Sequence, residues 1–139
     1  MGVLLHRSDK IVLEFEPTEN WIYTDWIGTQ SEQDIRAGGL QMIQAMKDMH
    51  AKNRCTKVLN DNRRVTGLWG HSVEWAEREW LPEMVAAGLK SFAWVLAKES
   101  LTNLSGLRLR LKASESSGDL MMAYSDVEEA KKWLLGRAG

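Results

Sequence analysis

Three polar residues in a row, Asn60, Asp61 and Asn62, end a short strand-like run from Lys57, and two arginines, Arg63 and Arg64, follow directly. Gly70, His71 and Ser72 come a few positions later, where a helix should start. These types supply a base in Asp61, a nucleophile in Ser72 and an activating imidazole in His71. A relay of that kind needs the three groups to converge, whereas adjacent side chains at a helix start point in different directions. The chain has no G-x-S-x-G elbow, and VTGLWG lacks the lysine and spacing of a phosphate-binding loop. His6, His50, His71 and Cys55 have no zinc-like spacing. Glu74, Glu77, Glu79 and Glu83 crowd one helix with only Arg78 among them, the composition of a solvated face. The residues therefore mark a site without defining a reaction, and the expectation is a noncatalytic protein with no metal and no cofactor.

What makes the 58–75 stretch a site is its place in the fold. A strand over Lys57 to Asp61 precedes a loop carrying both arginines, and a helix is expected from about Ser72 to Ala87. In an open α/β sheet, ligands and partners dock at the carboxyl ends of strands. Upstream, Ile11, Leu13 and Phe15 alternate with Val12, Glu14 and Glu16, and Trp21 to Ile27 forms a second β-rich run. Pro17 to Asn20 is a turn by composition, so these two runs predict a hairpin, with a shorter strand at Val3 to His6. Ser31 with Asp34 reads as a helix start, and Ile35, Gly39, Met42, Ile43, Met46 and Met49 share one helical face. Gly38 and Gly39 cost that helix about 1 kcal/mol each relative to alanine, which makes sense where the backbone packs closely; a break at Gly38 is the competing reading. Ser91 to Ala97 is apolar on both faces and predicts a covered strand in the middle of the sheet. Leu120 to Tyr124 predicts the last strand, with Ser125 and Glu128 as a capping box for a helix bearing Val127, Ala130 and Leu134. Leu101 to Lys112 fits either a strand or a helix, and SESSG at 114–118 is a polar loop.

The fold class that follows is α/β: one mixed sheet, antiparallel at its start and parallel through later β-α units, with packed helices. With 139 residues and 44% hydrophobic content, one domain over 1–139 with a real core is expected. A formal net charge of -1 gives no bulk attraction to a polyanion, so nucleic acid is not an expected partner. No window approaches the ~20 apolar residues of a membrane span. Cys55 is the single cysteine, which fits a reducing compartment and a cytoplasmic location, with Cys55 a small apolar filler.

The segments DWIGTQS (25–31), KVLNDN (57–62), WLPEMVAAGLKSFAWV (80–95) and YSDVEEAKKWL (124–134) resemble a bacterial family labelled STAS/SEC14-like, and they span nearly the whole chain. The element order is similar to that of the SpoIIAA-like anti-sigma-factor antagonists. That resemblance implies a regulatory domain in which a serine at the start of the helix after this strand is phosphorylated to control partner binding. Ser72 lies nearest that place, although the family's Asp-Ser-Ser-Gly pattern reads Gly70-His71-Ser72-Val73 here. A helix N-terminus would welcome a phosphate. The plainer reading of Ser72 is an N-cap worth about 1 kcal/mol.

Seven tryptophans among 139 residues are the compositional anomaly. Val73, Ala76, Trp80, Met84 and Ala87 share one helical face, but Trp75 falls about 200° round from Val73 at ~100° per residue. Two readings follow. Either Trp69 and Trp75 form an exposed patch beside Asp61 and Arg64, or Pro82 sits in the first turn of a second helical piece whose axis turns and buries Trp75. Two functions follow as well. The first is a noncatalytic regulatory or interaction domain that docks a protein partner, or itself as a homodimer, through the loop and helix after the Lys57–Asn62 strand. Asn60, Asp61, Asn62, Arg64, Trp69, His71 and Trp75 would form its patch, and the N-terminal sheet edge or the Trp75 face would pair across the two-fold axis. The second is a carrier or sensor of a small apolar or lipid-like ligand, as the SEC14-like label implies, lined by Trp69, Trp75, Trp80 and methionines.

Overall fold

The alternating apolar residues of the N-terminal third pair as the pattern demands. In a computed structural model that describes residues 2–67, 72–97 and 120–139, β1 (Val3–Arg7), β2 (Ile11–Glu16) and β3 (Trp21–Thr29) form an antiparallel meander. Asn20 takes a left-handed conformation (φ 60) in the β2–β3 turn. α1 (Glu32–Asn53) then carries the chain to β4 (Lys57–Thr66), which lies parallel to β3. A helical segment in three pieces follows: α2 (Val73–Trp75), a π-helical turn (Ala76–Trp80) and α3 (Leu81–Ala87). β5 (Ser91–Val95) and β6 (Met121–Tyr124) add parallel strands, and α4 (Val127–Leu135) ends the described fold. The result is α/β with one mixed six-stranded sheet in the order β1-β2-β3-β4-β5-β6.

That order has a consequence for function. Successive strands are neighbours throughout, so the described sheet has no point where the order reverses and no crevice of the kind such a reversal opens. Instead, α1, the π turn and α3 lie together over one face. Ile11, Leu13, Phe15, Ile22, Val58, Phe92 and Trp94 point into that layer against Met42, Met46 and Met84. On the opposite face, Trp21, Leu59, Ala93 and Val95 pack under Ala130 and Leu134 of α4. Leu13, Met46, Met84 and Leu134 are fully buried, and truncating any of them to alanine would cost about 2–5 kcal/mol.

α1 starts with the capping box read from its sequence: the Ser31 hydroxyl accepts from the Asp34 N–H at 3.0 Å, and the Asp34 carboxylate accepts from the Ser31 N–H at 2.9 Å. It runs unbroken through Gly38 and Gly39. Several boundaries differ from expectation. β4 continues five residues past Asp61 to Thr66, so Arg63 and Arg64 are strand residues, because the nine-residue β3 offers backbone partners as far as Thr29. β5 is the fifth strand of six rather than the middle one, although it is covered on both faces as its composition requires. α4 is capped by Asp126, whose carboxylate accepts from the Glu128 N–H at 3.1 Å; Ser125 stands one residue too early to do so. At the other end of α4, buried Lys57 reaches across from β4 and donates from Nζ to the Leu134 carbonyl at 2.7 Å, placing a cation where the helix dipole is negative. The 101–112 segment and the 114–118 loop lie outside the described residues. No described helix is long and apolar enough to cross a membrane.

Candidate functional site

Side chains alternate along a strand, so Asn60, Asp61 and Asn62 cannot form one cluster. Asn60 and Asn62 share the face under α1 and the π turn, whereas Asp61 points to the opposite face. A bulge in the β3–β4 ladder then shifts the register, with Asp25 opposite Asp61 but Ile27 opposite Arg64. The extra residue returns Arg64 to the Asp61 face and Val65 to the core. The expected patch uniting Asp61 and Arg64 with Trp75 is therefore divided by the sheet itself.

On the first face lies a cavity of about 70 Å³ walled by Trp26, Trp75, Trp80 and Trp94, with Ile35, Gly39, Met42, Val65, Ala76 and Phe92 completing its apolar lining. Its polar groups are Gln30, Asn60 and Asn62. The Asn60 carboxamide accepts from Trp26 Nε1 at 2.8 Å and donates to Asn62 Oδ1 at 3.1 Å, which locks both asparagines and the Trp26 ring into the wall. A buried asparagine engaged at both ends of its amide, as Asn60 is, holds a fixed geometry rather than adapting to whatever arrives.

The two tryptophans of the helical segment reach this wall because the helix is not regular. Five residues apart on an α-helix, Trp75 and Trp80 would be about 140° out of phase. The Leu81 N–H instead bonds the Ala76 carbonyl, an i to i−5 closure that adds a residue to the turn and rotates Trp80 back towards Trp75. Pro82 gives the physical cause: it has no N–H to donate, and its ring would crowd the Arg78 carbonyl in a regular helix. Pro82 thus occupies the first turn of α3, as the second reading of the sequence has it. Trp75 is half-buried against the core, with the Arg36 guanidinium 5.6 Å from its ring centre. Across the cavity, α1 offers glycine where these rings approach. A Cβ on Gly39 would lie 2.7 Å from Trp75 Cη2, and one on Gly38 would lie 2.4 Å from Trp26 Cη2. Close packing is thus what the double glycine serves.

The opposite face carries an ionic cluster. Arg63 donates to both Asp61 oxygens, from Nη2 at 2.7 Å and from Nε at 3.0 and 3.2 Å, and Tyr23 donates its hydroxyl to Asp61 Oδ2 at 2.7 Å. Burial alone would raise the Asp61 carboxyl, but the hydrogen bonds from Arg63 and Tyr23 outweigh it and hold the group below the usual carboxylate range. Burial, followed by the bond to Asp61, pushes the Tyr23 phenol well up. Asp25 pairs with Arg64 at 3.5 Å, yet burial still lifts its carboxyl above the ordinary value. Asp61 is therefore a counter-ion, with both oxygens engaged, and a poor base.

Ser72 is fully buried, and its hydroxyl has no hydrogen-bond partner among the described residues. A kinase would reach it only after the start of the helical segment opens. Trp69 and His71 lie outside the described residues. Glu74, Glu79 and Glu83 are exposed, and Glu74 pairs with Arg78 at 2.9 Å along the helix surface. Cys55 is buried and its thiol is pushed up by burial. No cluster of three or more His, Cys, Asp or Glu suited to a metal ion occurs among the described residues. Gln30, Trp26 and Trp94 were not marked by sequence patterns, since each looks like an ordinary strand-end or core residue; only the seven-tryptophan composition hinted that several rings would meet. Compared with protein-family models, curated proteins and solved structures, the chain matches none.

Proposed function

We propose that this chain is a noncatalytic regulatory domain of the SpoIIAA-like kind, which docks a protein partner through the end of β4 and the helical segment that follows. A small apolar ligand held beneath that segment sets the state of the docking surface. The observation that carries this reading is the dual position of the helical segment formed by α2 and the π turn: Trp75, Ala76 and Trp80 wall the cavity, while Glu74, Arg78 and Glu79 face solvent. Filling or emptying the cavity must therefore move, stiffen or loosen the surface a partner would touch. π turns recur at functional sites because they give up regular helix geometry. The engaged oxygens of Asp61 favour a binding role over acid–base chemistry.

Self-association uses a different edge. β1 lies at the margin of the sheet with Val3 and Leu4 more than half exposed, an arrangement suited to pairing with a second copy. Sedimentation of the wild-type chain and a Leu4→Lys variant tests it: a dimer lost in the variant supports edge pairing, and a wild-type monomer at tens of micromolar overturns it.

The ligand-linked reading is tested by hydrogen exchange on protein isolated gently from its own cells, before and after small molecules are stripped by unfolding and refolding. Faster exchange over 73–87 in the stripped protein, with 127–135 unchanged, is the expected result. Identical exchange over 73–87 would contradict it.

A further inference from the structure

We infer that the helical segment over Val73 to Ala87 is a two-register switch: closed through the π turn it holds Trp75 in the cavity wall, and as a regular α-helix it turns Trp75 out to the surface. This goes beyond the ligand reading and needs no guest in the cavity. The sequence carries the regular register. Val73, Ala76, Trp80, Met84 and Ala87 fall on one face of an uninterrupted α-helix, with Trp75 about 200° round from Val73 at ~100° per residue. The structure holds the other register. The Leu81 N–H, which a regular helix would give to Glu77, bonds the Ala76 carbonyl instead, and the extra residue in that turn brings Trp75 to the wall beside Trp80.

Hydrogen bonding and packing both leave the second register within reach. Pro82 withholds its N–H in either one, and its ring crowds the Arg78 carbonyl only in the regular helix, which makes the π register the resting state. Ala76 and Trp80, four residues apart, stay on the inward face of the regular helix, so the buried anchors of the segment are kept. Trp75 is the ring that moves. It is half-buried, and it is held from outside by Arg36, whose guanidinium also donates to exposed Glu32 at 2.8 Å. A cation–π contact on the surface is a weak hold. On the inner side Gly39 has no side chain to trap the ring, and about 70 Å³ of unfilled space lies behind it. Once out, Trp75 joins Glu74, Arg78 and Glu79 on the exposed side and gives that face the aromatic anchor on which protein interfaces concentrate their binding energy. The surface is thus competent to dock in one register and blunt in the other.

The test is relaxation dispersion on the full ¹⁵N-labelled chain, stripped of small molecules, with the Trp75 indole signal assigned from Trp75→Phe. The expected result in the wild type is exchange on the μs–ms timescale, with one shared rate, at the Trp75 indole and the Leu81 amide, while the Trp133 indole on the opposite face stays flat. Pro82→Ala supplies the missing N–H and removes the ring from the Arg78 carbonyl. It should move the ratio of the registers by about tenfold or more towards the regular helix, drawing the Trp75 indole signal towards the position of a solvent-exposed indole. Flat profiles at both Trp75 and Leu81 in the wild type would overturn the inference, and so would a folded Pro82→Ala whose Trp75 signal matches the wild type. If Pro82→Ala does not fold, the wild-type profiles decide alone: a shared rate at the two sites upholds the switch, and flat or unrelated profiles overturn it. Because no ligand or partner enters the experiment, its failure would leave the ligand reading standing.

Discussion

Adjacent glycines on α1 should respond to the same substitution in different ways, because their missing Cβ atoms face tryptophans with different freedom. For Gly38→Ala, the new methyl would sit 2.4 Å from Trp26 Cη2, 2.6 Å from Cζ3 and 3.0 Å from Ile11 Cδ1. Trp26 cannot swing aside without losing its bond to Asn60 at 2.8 Å. Helix propensity favours alanine by about 1 kcal/mol. Overpacking costs about 1–3 kcal/mol, and breaking a buried hydrogen bond adds about 1–3 kcal/mol. The net expectation is a loss of about 1–5 kcal/mol, centred near 3. For Gly39→Ala, the methyl would sit 2.7 Å from Trp75 Cη2 and 3.0 Å from Cδ1 of buried Trp80; the nearer ring, Trp75, is half-buried and borders open cavity space, so it yields by a small displacement, and Trp80 must give by only a few tenths of an ångström. Propensity and strain then nearly cancel, and stability should stay within about 1 kcal/mol of wild type. Urea unfolding of the three proteins with a common m-value reads both effects. If Gly38→Ala proved as stable as wild type, or less harmful than Gly39→Ala, the pinned Trp26 wall would be wrong.

Further expectations concern the charged face and the caps. Asp61→Asn should cost about 1–2 kcal/mol, discounted for the half-exposed Arg63, and should lower the Tyr23 phenol towards its ordinary value of 10.0 without reaching it, since burial remains; an absorbance titration of tyrosinate checks this. Because the folded Asp61 carboxyl lies below its ordinary value of 3.8, its contribution is complete above that pH and lost as pH falls through the lowered folded value. Asp25 runs the other way: its raised carboxyl makes the fold lose stability as pH rises from 3.8 through the folded value, so Asp25→Asn should flatten that rise-linked loss in acid unfolding curves. Lys57→Met should remove about 1–2 kcal/mol and speed amide exchange in the last turn of α4 more than in α1. Ser31→Ala should cost about 1 kcal/mol by urea unfolding, since the capping box at α1 is lost.

Much of the fold was legible because period carries it. The alternation of Ile11, Leu13 and Phe15 and the helical spacing of Met42, Met46 and Met49 each specify an element and its buried face. The ends were less legible. Polar Asn62, Arg63 and Arg64 read as a loop, since only the length of β3 and a bulge, both tertiary facts, keep them in β4. Ser125 and Asp126 are both good caps, and one residue of strand length decides between them. The site was legible in place but not in composition. Asn60 and Asn62 line the cavity as residues of the marked stretch, while Asp61 belongs to the other face by simple alternation, a rule that applies once the strand is known to continue. Trp75 and Trp80 meet only because Pro82 induces a π turn, and a regular 3.6-residue period cannot express that.

In the function proposed above, the tryptophan cavity holds a ligand. The most direct test compares small molecules released on unfolding from the wild-type chain and from Ala76→Leu, both isolated gently from the native host and analysed by mass spectrometry. Ala76 is buried in the cavity wall, and the larger side chain would fill the space; circular dichroism establishes that the variant folds. One small compound, stoichiometric with the wild-type chain and absent from Ala76→Leu, is the expected result. A folded variant and a wild type that release the same compounds, or none, would contradict the account.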